Sequence, residues 1–236
     1  MISKKQIENR INNFLGYGNI DSNIWFVCME EGFHGTPEDM NLRFDATKDE
    51  GVIDIADDMV NVPDHIKYFL GRNPIQRTWS KLIIMLLAFE GRNINTELVR
   101  EYQKNNFGRK NSNHCILDFM PLPSKSVNEN DWKYSDLSIS YLSTRSEYFQ
   151  EVAPRRVKLF QNFISKCKPK IIIFSSISYL PYWTEIAQCE FKGLDRFYFS
   201  KKDGINYFVI PHPVTRGLSN SDWEEMALKI KDVSIQ

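Results

Sequence analysis

Short runs of consecutive hydrophobic residues alternate along the chain with segments of helical periodicity. Each run has several apolar residues in succession, a pattern typical of strands that are covered on both faces. These runs predict four buried strands of a mainly parallel sheet. They occur at residues 24–29, 115–120, 170–174 and 207–210.

Helical patterns lie between these runs and at both ends of the chain. Ser3 followed by Gln6, and Ser221 followed by Glu224, have the spacing of N-terminal capping boxes. Alternation of strands and helices predicts a doubly wound α/β sheet. Internal helices are predicted at residues 75–90, 96–103, 154–168 and 179–188, with a weaker helical pattern at 52–59.

Length and composition predict one domain covering residues 1–236. Of these residues, 42% are hydrophobic, which is enough for a full core. The longest apolar run, 82–89, is much shorter than the ~20 residues of a membrane span, so we expect no membrane association. The four cysteines lack the paired spacing of a zinc site, and the first ten residues lack the apolar stretch typical of a signal peptide. We therefore expect reduced thiols in a cytoplasmic protein, and we expect a monomer.

Charge is balanced over the whole chain but uneven along it. There are 30 basic and 30 acidic residues, whereas residues 1–60 hold 5 basic and 12 acidic side chains and residues 61–110 hold 9 and 4. An acidic stretch with several glycines and prolines is predicted as an insertion at about 33–64 that forms a lid or is disordered. The zero net charge argues against binding through phosphate contacts alone, but the basic middle of the chain leaves a nucleic-acid or nucleotide partner open.

Polar side chains cluster at the ends of the predicted strands. Ligands of open α/β sheets bind outside the carboxyl ends of the strands, so we expect these side chains to share one crevice. Carboxylates and a histidine in one crevice are suited to general acid–base chemistry. No metal site is expected, because spacings such as HxH or HExxH are missing. The strand-end residues are Glu30, Glu31, Asp118, Ser175, Ser176, Ser178 and His212, with the loop 121–126 after the second strand.

The order of these motifs resembles that of the uracil-DNA glycosylase-like superfamily. Residues 28–32, Cys-Met-Glu-Glu-Gly, lie where the family carries a motif such as Gly-Gln-Asp-Pro-Tyr-His after its first core strand. His212, followed by Pro213 and Val214, lies where the family carries His-Pro-Ser. The resemblance implies a three-layer α/β/α sandwich with a mainly parallel central sheet. It also implies hydrolysis of the N-glycosidic bond of a flipped base.

The resemblance further implies a role for each matching residue. Glu30 would position the attacking water and stabilise the sugar cation, and His212 would stabilise charge on the departing base. Asp118 would bind the base and Phe33 would stack on it. No cofactor is implied, because the cysteine spacing of an iron–sulfur cluster is absent. The remaining substrate-binding candidates are Glu31, Ser124, Lys125, Ser126, Ser175, Thr215 and Arg216.

Several departures from the family pattern leave alternatives open. Cys28, Glu31 and Val214 replace a glycine, a proline and a serine of the family motifs, and Asp118 replaces a frequent asparagine. An ionised aspartate only accepts hydrogen bonds, so it would suit a base edge rich in donors. These departures favour a non-catalytic nucleotide- or nucleic-acid-binding module of the same fold. An unrelated α/β hydrolase is a third possibility, although the chain has no Gly-x-Ser-x-Gly, P-loop or Gly-x-Gly-x-x-Gly motif.

Overall fold

The computed structural model describes residues 2–47 and 50–235, and this part of the chain forms one eight-stranded sheet. The strand order across the sheet is β3-β1-β4-β2-β5-β8-β7-β6. The strands are β1 (Gly16–Gly18), β2 (Ile24–Gly32), β3 (Val52–Ile53), β4 (His114–Ser124), β5 (Ile171–Ser175), β6 (Lys192–Leu194), β7 (Phe197–Lys202) and β8 (Ile205–Ile210).

The four central strands, β4, β2, β5 and β8, are parallel to one another. Val27 at the middle of β2 is paired with Leu117 of β4 and Phe174 of β5. These four strands contain the four hydrophobic runs, so their prediction is confirmed. The outer strands β1, β3, β6 and β7 were not predicted, because each is short or too polar to produce a hydrophobic run.

Helices cover both faces of the sheet, which gives a three-layer α/β/α arrangement. The helices are α1 (Lys4–Asn13), α2 (Pro37–Ala46), α3 (Pro63–Ile66), α4 (Arg77–Phe89), α5 (Thr96–Asn105), α6 (Arg145–Cys167), α7 (Leu180–Ala187) and α8 (Asn220–Ile235). Side chains of β2 alternate between two cores: Trp25 and Val27 pack with α1, α6 and α7, whereas Phe26 packs with α4, α5 and α8. This alternation explains why β2 is apolar on both faces.

The start of α6 differs from the prediction. The helix begins at Arg145, well before the predicted start at Pro154, and Pro154 lies inside it. Thr144 and Glu147 form a capping box there, with Thr144 Oγ1 accepting from the Glu147 N–H at 3.1 Å. Proline is common in the first turn of a helix, and that preference suggested the wrong start.

Of the two predicted capping boxes, the one near the N-terminus is confirmed and the one near the C-terminus is wrong. The box of Ser3 and Gln6 is confirmed at the start of α1. At α8 the predicted cap residue, Ser221, is wrong by two positions, and Ser219 is the cap. Ser219 Oγ accepts from the Asp222 N–H, and the Ser219 N–H donates to the Asp222 carboxylate.

The predicted helix at 52–59 is also wrong: β3 occupies its start, and turns follow.

The acidic stretch at 33–64 is folded against the sheet and contains α2 and β3; Lys48 and Asp49 lie outside the described residues. Two of its carboxylates are neutralised by the basic middle of the chain. Asp54 lies 2.9 Å from Arg109, and Asp58 lies 3.0 Å from Lys110. The stretch therefore packs as part of the domain and adds the edge strand β3.

The sequence predicted no membrane-spanning helix and reduced thiols, and the structure can be compared with both expectations. Among the residues that the structure describes, no helix combines the length and the apolar sequence that crossing a bilayer requires. All four cysteines are free thiols, and Cys115 is buried.

Candidate functional site

The order of the parallel strands reverses at the carboxyl ends of β2 and β5. The chain leaves β2 toward β4 on one side, whereas it leaves β5 toward β8 on the other side. Ligands of open α/β sheets bind at such a reversal of strand order. The carboxyl ends of β2, β4, β5 and β8 therefore define the candidate site.

Glu30, near the end of β2, is held by a buried arginine from the start of α6. Arg145 Nη2 donates to Glu30 Oε1 at 3.0 Å, and Arg145 Nη1 lies 2.8 Å from Glu30 Oε2. The Arg145 and Glu30 side chains are only 6% and 7% exposed. The Nη1–Oε2 contact is poorly aligned, so neither atom has a well-formed hydrogen bond. Burial raises the pKa of Glu30, although Arg145 opposes this shift.

Glu31 belongs to a separate buried charge network. Arg43 and the Tyr17 hydroxyl both contact Oε1 of Glu31, the latter at 2.9 Å, while Arg10 Nη2 lies 3.2 Å from Oε2. Burial alone would raise the pKa of Glu31, but Arg43 and Arg10 lower it. Glu31 thus ties α1 and α2 to the end of β2, which is a structural use of a residue predicted to bind substrate.

Asp118 lies deeper in the sheet, in a row of polar side chains that crosses three strands. It is paired with Cys28 of β2, and Cys28 Sγ lies 4.0 Å from Ser175 Oγ of β5. Glu30 is paired with Met120, so Asp118 is two residues, or about 7 Å, further from the carboxyl edge. The row of Asp118, Cys28 and Ser175 therefore lies beneath the level of Glu30.

Among the described residues, none forms an ion pair with the Asp118 carboxyl group, although the charges of Arg10 and Arg156 partly oppose the rise of its pKa. It is 5% exposed, and no hydrogen bond to the carboxyl group is found in the described part of the chain. Burial, and then the negative charge of Glu31, raise the pKa of Asp118 to about 8. Asp118 is therefore mostly protonated at neutral pH. The nearby Arg156 donates instead to the main-chain carbonyls of Ile11, Phe14, Asp118 and Phe119.

His212 follows β8 and is held in one tautomer. The Val214 N–H donates to His212 Nδ1 at 3.3 Å, so Nδ1 is unprotonated and the proton of the neutral ring is on Nε2. Burial lowers the pKa of His212. His212 is therefore a neutral imidazole at pH 7 that offers an N–H donor at Nε2.

Three further predicted substrate-binding residues follow the first and last predicted strands: Phe33 is buried, whereas Thr215 and Arg216 are exposed. Phe33 is 6% exposed within the core, with the Arg43 guanidinium 5.4 Å from its ring centre, so the structure leaves no ring face open for stacking. Thr215 and Arg216 are exposed, and the Thr215 N–H donates to the His212 carbonyl at 2.8 Å. These two residues lie in the exposed turn that follows His212.

The predicted loop 121–126 is wrong for residues 121–124, because β4 continues to Ser124. The end of β4 and the two residues after it make their polar contacts with one another and with Asp131. Ser124 Oγ donates to the Ser126 carbonyl at 2.8 Å, and Ser126 Oγ donates to the Asp131 carboxylate at 2.6 Å. Lys125 lies 3.4 Å from the same carboxylate. A phosphate bound by Lys125 and Ser126 would have to compete with Asp131.

Arg145 was missed by the sequence interpretation, and the backbone conformation of the strand-end residue Ser176 was not foreseen. Arg145 is 115 positions from Glu30 along the chain, and nothing in one sequence indicates such a pair. Ser176, directly after β5, has a φ of 80°, a backbone conformation that favours glycine. It is fixed because its N–H donates to the Ile210 carbonyl and its own carbonyl accepts from the Trp183 indole, both at 2.9 Å. A serine in this conformation at a strand end was not detectable from residue type or spacing.

Fold and site together define a doubly wound α/β protein with polar side chains where the strand order reverses. Among the described residues, no group of three or more His, Cys, Asp or Glu side chains is placed to hold a metal ion. No protein-family model matches the chain, and no curated protein is similar to it at a significant level.

Proposed function

We propose that the crevice at the carboxyl ends of β2, β5 and β8 hydrolyses the N-glycosidic bond of a flipped base in nucleic acid. One observation carries the proposal: a neutral histidine donor and an oriented carboxylate lie on either side of β5. His212 follows β8 and Glu30 is near the end of β2, so two strand spacings put them about 10 Å apart. The resemblance to the uracil-DNA glycosylase-like superfamily supports the same assignment.

In this proposal each residue acts on one end of the bond that breaks. Glu30, kept in place by Arg145, orients a water molecule toward the anomeric carbon and accepts its proton. The raised pKa of Glu30 makes it a stronger base for that proton. The electron pair of the carbon–nitrogen bond passes to the base, and the His212 Nε2–H stabilises the resulting negative charge by a hydrogen bond.

The protonated state of Asp118 changes the expectation for base recognition. A protonated carboxyl group donates one hydrogen bond and accepts others, as an asparagine amide does. Asp118 is therefore not restricted to a base edge rich in donors. Bases with an acceptor beside a donor, such as uracil and hypoxanthine, become suitable substrates.

Base release from oligonucleotides tests the proposal. Single- and double-stranded DNA carrying uracil, hypoxanthine or an alkylated base would be incubated with the wild type, Glu30→Gln, His212→Ala and the control His34→Ala, which changes an exposed histidine. We expect Glu30→Gln and His212→Ala to lower the rate by about 100-fold or more, and the control to match the wild type. Unfolding in urea would show that each variant is folded. Equal release by all four proteins would refute the assigned roles.

A second candidate function is a nucleotide- or nucleic-acid-binding module without catalysis. The buried pairing of Glu30 with Arg145 favours it, because a carboxylate engaged by an arginine is less free to activate water. In this case the wild type binds single-stranded nucleic acid, with an affinity that falls as salt rises, and releases no base from any substrate.

A further inference from the structure

A second cleft lies at the opposite edge of the sheet, where β8 begins. It has a volume of about 350 Å³ and is bounded by the last turns of α6 and α7 and by the turn between β7 and β8. This volume is at the lower end of the ~300–1,000 Å³ range of small-molecule sites. The proposed glycosidic reaction uses none of the residues that line this cleft.

The walls of the cleft combine apolar side chains with uncharged polar ones, which are Gln161, Ser165, Gln188 and Tyr207. Tyr207 lines the cleft and is 3% exposed, and its hydroxyl makes no hydrogen bond in the part of the chain that the structure describes. Burial raises the pKa of Tyr207 to about 12, so the hydroxyl keeps its proton at neutral pH. The hydroxyl is accessible from the cleft, so an acceptor on a ligand can take its hydrogen bond in place of water. The apolar walls are formed by Ile164, Ile186, Ala187 and Ile205.

The rim of the cleft carries more positive than negative charge. Lys168 and Lys202 face a single acidic residue, Asp203, among the residues that line it. Lys202 Nζ donates to the Gln188 carbonyl at 3.1 Å and to its side-chain oxygen at 3.3 Å, so Lys202 also closes the end of α7. An anionic group on a ligand is therefore favoured at the rim.

We propose that this cleft binds a small amphipathic monocarboxylate. Its ring or short chain packs against the isoleucines, an oxygen atom accepts from the Tyr207 hydroxyl, and its carboxylate lies between Lys168 and Lys202. The proposal is independent of the glycosidic activity, because the two sites share no residue and lie at opposite ends of β8.

Titration of the full chain with 4-hydroxyphenylacetate tests this site. Backbone amide shifts in a nitrogen-15 correlation spectrum would be followed, with neutral 4-hydroxyphenylacetamide as the matched ligand. We expect saturable shifts at Gln188, Lys202 and Asp203, and at least ~5-fold weaker binding of the amide. Shifts that do not saturate, or equal affinities for the acid and the amide, would overturn the proposal.

Two variants locate the ligand within the cleft. Tyr207→Phe removes only the hydroxyl, and Ala187→Leu fills part of the space; each should weaken binding by about 10-fold. Lys104→Gln, in a separate cleft beside α5, is the control and should leave the affinity unchanged. Since the Tyr207 hydroxyl has no partner, Tyr207→Phe should keep the wild-type melting temperature. Unchanged affinity in this variant would refute the site even if Ala187→Leu did not fold.

Discussion

Replacement of Asp118 by asparagine should change how the stability of the protein depends on pH. In the folded protein the carboxyl group is buried and near the charges of Glu31, Arg10, Arg156 and Glu30. Neither arginine offers it a hydrogen bond, since Arg156 is bound to main-chain carbonyls and Arg10 donates to the Pro121 carbonyl, Thr47 and Glu31. The folded protein therefore resists the ionisation that the unfolded chain undergoes freely.

The size and sign of the effect follow from the two pKa values. The pKa of Asp118 is 3.8 in its ordinary state and about 8 in the folded protein. Between these values the unfolded chain is ionised and the folded protein is not, so folding stability falls as pH rises. The loss is about 1.4 kcal/mol per pH unit and reaches an upper limit of about 4 kcal/mol at pH 7. Below pH 4 the loss is absent, and above pH 8 it no longer grows.

Urea unfolding followed by the fluorescence of the five tryptophans measures this effect. The free energy of unfolding would be determined from pH 4 to pH 9 for the wild type, Asp118→Asn and the control Asp136→Asn, which changes an exposed aspartate. The asparagine amide changes the free energy of unfolding by the same amount at every pH. The test therefore compares how steeply this free energy changes with pH in the two proteins. We expect Asp118→Asn to gain stability over the wild type by up to about 1.4 kcal/mol per pH unit up to pH 8. Parallel curves for these two proteins would refute the assignment of a protonated Asp118.

Three further changes test other parts of the structure. Arg156→Met should lower the free energy of unfolding by about 3–5 kcal/mol, because four buried carbonyls lose their donor; a loss under about 1 kcal/mol in urea unfolding would contradict this. Arg145→Gln should raise the pKa of Glu30, which carbon-13 titration of the carboxyl groups would measure. An unchanged or lower pKa would show that Arg145 does not stabilise the negative charge of Glu30. Ser176→Gly should raise stability by about 1 kcal/mol in calorimetry by relieving the positive φ, whereas Ser176→Ala should not; equal effects would rule out strain.

Local hydrophobic patterns in the sequence were sufficient to predict the central strands and most of the helices. Each central strand is apolar on both faces because helices cover both sides of the sheet, and a continuous hydrophobic run records this directly. The strands β6 and β7 at one edge are largely exposed or half-buried, so their residues carry no comparable signal. The position of Pro154 inside α6 also could not be read locally, because packing of the helix against the sheet outweighs the preference of proline for a helix start.

The position of Glu30 and His212 toward the carboxyl ends of parallel strands was determined by the sequence itself, since strand direction and strand ends follow from local patterns. Asp118 was expected at the same edge, but it lies in the middle of β4, because this strand continues to Ser124. The ionisation of all three residues was decided only by the tertiary structure. The pKa of a carboxyl group depends on burial and on charges that fold next to it, and Arg145 reaches Glu30 from 115 residues away. The same holds for the uneven charge along the chain: acidic residues near position 54 meet Arg109 and Lys110 across the fold, because β3 lies beside β1 at the edge of the sheet.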